Sequence, residues 1–180
     1  MTANMQRPVV PPGLLEEMPE VTGFGLEDFL TFRLQILARA FDRQAKRTYG
    51  ESFGLSLIAW RILAMIGSRG DATVNRLASW MDYDKAQISR AVASLVESGH
   101  LKRARNVQDT RSAILTLSPQ GRALHRELMA FGRERQRNLL AVLTPDQRRA
   151  MYEVMAVLDS HLRGQETTVG HASRHVSEPA

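Results

Sequence analysis

Residues 73–117 read TVNRLASWMDYDKAQISRAVASLVESGHLKRARNVQDTRSAILTL. The order helix, tight turn, helix, short basic hairpin decides the fold. Thr73 is a good N-cap for a helix over 74–80, and Asp84 can cap a helix over 85–98. Gly99 supplies a left-handed stop. The chain then changes period. Residues 100–105 and 112–117 are short and strand-like, with polar turn material over 106–111 between them.

The chemistry of this stretch suits duplex DNA. A helix-turn-helix needs a short first helix, a tight turn and a second helix whose first turn can reach base edges. Ala78 is small enough for close helix approach, and Met81, Ile88, Val92 and Leu95 are expected to face the core. That leaves Asp84, Lys85, Gln87, Ser89 and Arg90 at the exposed start of the second helix. Lys and Arg can donate to guanine, and Gln can pair with adenine. Lys85, Gln87 and Arg90 are therefore the candidate base contacts, and Ser89 a candidate phosphate contact. Without the hairpin, an ordinary helix pair in an all-α core explains the two helices equally well.

The hairpin adds Lys102, Arg103 and Arg105 on one strand and Arg111 at the base of the return strand. Asp109, two residues before Arg111, is expected to hold that guanidinium in one rotamer aimed into a groove. The alternative is a surface ion pair worth under ~1 kcal/mol. Between 84 and 111 six Lys or Arg stand against three Asp or Glu, whereas residues 1–25 hold one Arg against three Glu. A local basic excess marks a phosphate-binding face, although a solvated basic surface gives the same count.

Working outward, residues 1–25 carry Pro8, Pro11, Pro12 and Pro19 with Gly13, Gly23 and Gly25, which predicts an extended arm. Residues 26–49 form a helix with one apolar stripe of Leu26, Leu30, Leu34, Leu37 and Phe41. Phe29, Phe32, Ile36 and Ala40 lie beside it, so both sides are expected to meet protein. Ser56 caps a short apolar helix over 57–66. Ser118-Pro119 starts a helix to about Val142, and Thr144-Pro145 starts the last one, to about Leu162. Residues 164–180 are polar and aperiodic, which predicts a disordered tail.

The 180 residues suit one domain with an interaction arm, and the net charge is +5. The absence of cysteine excludes disulfides and zinc–thiolate sites, and fits a reducing compartment. No apolar run approaches the roughly 20 residues that span a bilayer. The N-terminus lacks the apolar core of a secretory signal. No paired carboxylates, glycine-rich phosphate loop or cysteine nucleophile points to an enzyme. His100, His125 and His161 lack ligand spacing, and the His171/His175 pair lies in the expected tail, so neither metal nor cofactor is expected.

The strings WRIL (60–63), TVNRLA (73–78), DKAQISRAVASLVESGHLKR (84–103), DTR (109–111) and LTLSPQGRAL (115–124), in that order, closely resemble the MarR family of bacterial winged-helix transcription regulators. The resemblance covers about residues 26–162. It implies a mainly α fold with a small β wing. The winged helix-turn-helix would span 51–117, flanked by a dimerisation helix at 26–50 and C-terminal helices at 118–163. It implies a cytoplasmic homodimer on a pseudo-palindromic operator, nucleoid-associated when bound and usually repressing. It places recognition-helix contacts on 84–90 and a minor-groove arginine on Arg111, with Asp109 as partner. Ala86 departs from the serine of many members, which removes one phosphate hydrogen bond. The resemblance further implies a small aromatic or phenolic effector, for which Arg33, Arg39, Trp60 and His125 offer a carboxylate clamp and ring-packing surfaces. The absence of cysteine rules out the thiol-based peroxide sensing of some relatives. A different class remains open: an architectural DNA binder that reads shape alone, without an effector.

Overall fold

Serine, threonine and aspartate caps define where the chain turns. The structure, a computed structural model, describes residues 23–107, 109 and 111–172, with side chains described through 164. The expected arm over 1–25 lies outside it up to residue 22. After a 3-10 turn, Leu26–Asp28, come α1 (Leu30–Phe53), α2 (Leu57–Arg69), α3 (Val74–Met81), α4 (Lys85–Glu97), β1 (Leu101–Arg105), β2 (Ala113–Leu117), α5 (Pro119–Leu140) and α6 (Pro145–Ala172). The mainly helical fold with a two-stranded wing agrees with expectation. The chain divides into two compact units, residues 1–125 and 126–180.

Within the first unit the caps act as the sequence suggests. Ser56 Oγ accepts from the Ala59 amide at 3.2 Å, and Thr73 Oγ1 accepts from the Arg76 amide at 3.2 Å. The core joins α2, α3, α4 and the wing through Ile62, Leu63, Ile66, Leu77, Ile88, Val92, Leu95, Leu101 and Leu115, all buried. Burial of each such side chain contributes roughly 1.5–3 kcal/mol. In α4 the apolar positions recur as i, i+4, i+7, so one face is interior and the other is free. The wing is antiparallel, with Leu101 opposite Leu117, Arg103 opposite Leu115 and Arg105 opposite Ala113. A bridge not anticipated from sequence joins Ala72 to Leu115. Its amide-to-carbonyl distances of 3.2 and 2.8 Å fasten the entry to α3 onto the wing.

Several boundaries differ from those expected. The first helix is not continuous from 26: Phe29 is extended and separates the 3-10 turn from α1. Asp28 Oδ2 accepts from the Gly25 amide at 3.1 Å and stabilises that turn. At its far end α1 passes Gly50 and stops at Gly54, which adopts the left-handed conformation. A glycine inside a helix costs only about 1 kcal/mol against alanine and does not by itself end it. α5 stops at Leu140 rather than at 142. α6 runs to Ala172, into the segment read as a disordered tail. Gly164 weakens the helix without stopping it, and no proline follows until Pro179. Residues 173–180 lie outside the described residues.

The second unit begins within α5. Thr144 Oγ1 accepts from the Gln147 amide at 3.2 Å, and Gln147 Oε1 accepts from the Thr144 amide at 2.9 Å. This reciprocal box, with Pro145 between, starts α6. Met151, Tyr152, Val154, Met155, Val157 and Leu162 of α6 remain exposed.

Candidate nucleic-acid interface

The turn between α3 and α4 places the candidate base-reading residues. Asp82 is left-handed, with φ of 52°, and the Tyr83 amide bonds back to the Ala78 carbonyl at 3.1 Å. One Asp84 carboxylate oxygen then accepts from the amides of Ala86 and Gln87, at 2.9 and 3.1 Å. This satisfies two of the donors that a helix start leaves open. Ile88, Val92 and Leu95 lock the opposite face into the core. Lys85, Gln87, Ser89 and Arg90 are all exposed on the first turns. Met81 is half-buried rather than fully interior.

The wing carries the second set. Leu101 is buried, while Lys102, Arg103 and Arg105 are exposed, because the hairpin runs out beyond the core. At its tip the Asp109 carbonyl accepts from the Ser112 amide at 3.0 Å and from Ser112 Oγ at 3.2 Å. Asn106 Nδ2 donates to Ser112 Oγ at 2.8 Å. Asp109 Oδ1 accepts from the backbone amide of Arg111 at 3.0 Å. The carboxylate thus meets the Arg111 backbone, not its guanidinium, and shapes the turn from which Arg111 projects. Among the described residues Lys85, Arg90, Lys102, Arg103, Arg105 and Arg111 have no carboxylate within salt-bridge distance. Six unneutralised cations on two adjoining elements form an anion-attracting surface.

Two clusters near this surface were not singled out from sequence, and a third extends the expected Ser118 cap. Arg61 of α2 donates to Asp42 Oδ1 of α1 at 2.8 Å and to the Tyr83 hydroxyl, with its guanidinium carbon 5.7 Å from the Tyr83 ring centroid. One side chain therefore links α1, α2 and the turn that starts α4. Arg69 and Arg76 both lie against Trp80, at 5.3 and 5.4 Å from its centroid. The third cluster closes the wing against α5. Ser118 Oγ donates to the Gly99 carbonyl at 2.6 Å and accepts from the Gly121 amide at 2.9 Å. A Cβ on Gly121 would overlap the His100 carbonyl. Beyond the Ser118 helix start, only the i, i+4 spacing of Arg76 and Trp80 was a signal in the sequence itself.

The four residues considered for an effector are spread over several contacts. Arg33 Nε donates to the Glu27 carbonyl at 2.8 Å, and its Nη2 lies 4.0 Å from Asp28. Arg39 is exposed on α1. Trp60 is half-buried and stacks on Tyr49, with centroids 4.8 Å apart and planes at 23°. The His125 ring sits over Gly67, where a Cβ would overlap it. Trp60 and Gly67 are two turns apart on one face of α2, about 10 Å along the axis. Among the described residues no cluster of His, Asp or Glu could hold a metal, and no helix is long and apolar enough to cross a membrane.

A capped, outward-facing second helix beside a basic two-stranded wing defines a winged helix-turn-helix DNA-binding protein. Residues 53–112, a third of the chain, match the model of the MarR family. An uncharacterized HTH-type transcriptional regulator of Bacillus subtilis (strain 168), YfiV, is 24% identical over 108 residues, 60% of this chain and 68% of YfiV. The fold is similar to that of S. aureus MepR, solved in complex with DNA. Here the TM-score is 0.67 at 17% identity, covering 74% of this chain and 98% of MepR. It is equally similar to Bordetella bronchiseptica BpsR, whose DNA binding is regulated by 6-hydroxynicotinic acid. That match has TM-score 0.67 at 18% identity over 76% of this chain and 96% of BpsR.

Proposed function

We propose that this regulator is a homodimeric repressor that reads a pseudo-palindromic operator and is released by a small aromatic or phenolic ligand. The observation that carries the DNA-reading part is the set of unneutralised cations on α4 and the wing, presented from a start that Asp84 holds rigid. In this reading Lys85, Gln87 and Arg90 meet base edges in the major groove and Ser89 meets phosphate. Arg103 and Arg105 follow the backbone, and Arg111 enters the minor groove from the turn shaped by Asp109. Dimerisation is supported by the apolar side chains that α1 exposes, among them Leu30, Leu34 and Leu37, and by those of α6. Such faces need a cover in water. A two-fold dimer would set the recognition helices roughly 34 Å apart.

The effector part draws on BpsR, whose DNA binding is regulated by 6-hydroxynicotinic acid, and on the side-chain chemistry of Trp60, His125, Arg39 and Arg33. An indole packs on a ring and an arginine clamps a carboxylate. A coupling of ~1–3 kcal/mol between ligand and DNA is enough for regulation. The test is a competition titration at fixed salt with aromatic acids added. Release of the duplex by at least one such acid is expected, together with a raised melting temperature of the free protein. Equal affinity across the whole series would remove the effector from the account.

A further inference from the structure

We propose that Arg69, Arg76 and Trp80 form a phosphate-binding platform that grips the duplex backbone beside the groove read by α4. The proposal rests on the assignment of α3 and α4 as a helix-turn-helix. Two guanidinium groups share one indole. Among the described residues neither has a carboxylate within salt-bridge distance, although Asp71 lies between them in sequence. Arg76 is the third residue of α3, in the first turn after the Thr73 cap, where the helix dipole disfavours a cation and favours an anion. Like charges gathered at a helix start are stabilised by an anion brought to them. Stacking on Trp80, which is half-buried, restricts both side chains before any ligand arrives, so little ordering cost remains on binding. A planar guanidinium presents paired donors that match phosphate oxygens. In a helix-turn-helix the first helix crosses the DNA backbone while the second enters the groove. Arg76, the exposed cation of α3, and Arg69 held beside it therefore meet phosphates rather than base edges. They add affinity without sequence information.

The test compares wild type, the double variant R69Q/R76Q and W80F by titrating full-length protein with palindromic and random duplexes over a salt series. In the double variant the slope of log affinity against log salt is expected to fall by roughly four for a bound dimer, one for each arginine lost in each of the two copies. Affinity for both duplexes should drop by the same factor, on the order of tenfold, since phosphate contacts are blind to sequence. W80F keeps an aromatic face and should keep the wild-type slope. Both arginines are exposed, and an unchanged melting temperature shows that the variant is folded. An unchanged slope in the double variant overturns the platform, as does a loss confined to the palindromic duplex, which would make the arginines base readers. R111A separates this outcome from failure of the wider reading. If R111A lowers affinity and the double variant does not, only the platform falls. If wild type shows no salt-dependent duplex binding, both fall.

Discussion

Asp84 has two jobs at one position. Its carboxylate caps two amides of α4, and in doing so it fixes the direction in which Lys85 and Gln87 leave the backbone. Asp84→Ala should cost about 1 kcal/mol of stability in urea denaturation and weaken duplex binding as the first turn frays. Wild-type stability would show that the cap is dispensable. Gln87→Ala belongs to the same scale. It should change base preference by ~1–3 kcal/mol at one half-site position, and uniform weakening would make Gln87 a phosphate contact. Gly121 is constrained from a different side. Gly121→Ala would drive a Cβ into the His100 carbonyl, and backbone cannot rotate away, so a loss of about 1–3 kcal/mol is expected in thermal or urea unfolding. The cap was legible in the sequence because Asp before a helical run has a local meaning. The Gly121 contact was not, because it depends on two segments about twenty residues apart meeting in space.

At the scale of elements, helix starts were readable wherever a side-chain cap or a proline announced them, as at Ser56, Thr73, Asp84, Ser118 and Thr144. Helix ends were less so. Gly50 resembles a stop in sequence, yet α1 continues to Gly54, because a glycine ends a helix only when the chain turns left-handed there. The Ala72–Leu115 bridge had no local signature, since a single pairing position carries no period. The Arg61 link is of the same kind, since its partners Asp42 and Tyr83 come from distant segments. Tyr83→Phe keeps the ring beneath the guanidinium and removes the hydroxyl acceptor. It should cost about 0.5–1.5 kcal/mol by urea denaturation, and no change would mean that the ring contact alone holds the turn. In the wing, the expected role for Asp109 was to pin a guanidinium, and the structure instead gives it the Arg111 amide. Residue spacing shows that the two are neighbours but not which atoms meet.

For the whole molecule, the apolar residues of α1 and α6 recur at helical spacing in the sequence, but no period says what covers them. Leu30 of α1 is 54% exposed and Val154 of α6 is 56% exposed, and an apolar face left open on either helix calls for a cover. A charge at Leu34 should therefore separate a dimer. Leu34→Glu is expected to shift sedimentation from dimer to monomer and to abolish preference for paired half-sites. A wild-type protein that sediments as a monomer would remove the two-fold arrangement. The effector residues were the least legible part, since arginine, tryptophan and histidine serve packing as readily as binding, and Trp60 stacks on Tyr49. In the proposed dimer, two copies of the α4-and-wing surface read DNA by sequence. The decisive measurement is selection of bound duplexes from a random-sequence pool at fixed salt. The predicted result is enrichment of an inverted repeat with half-sites roughly 10–10.5 base pairs apart, centre to centre, bound by one dimer. A bound pool with no more sequence preference than the input would contradict it.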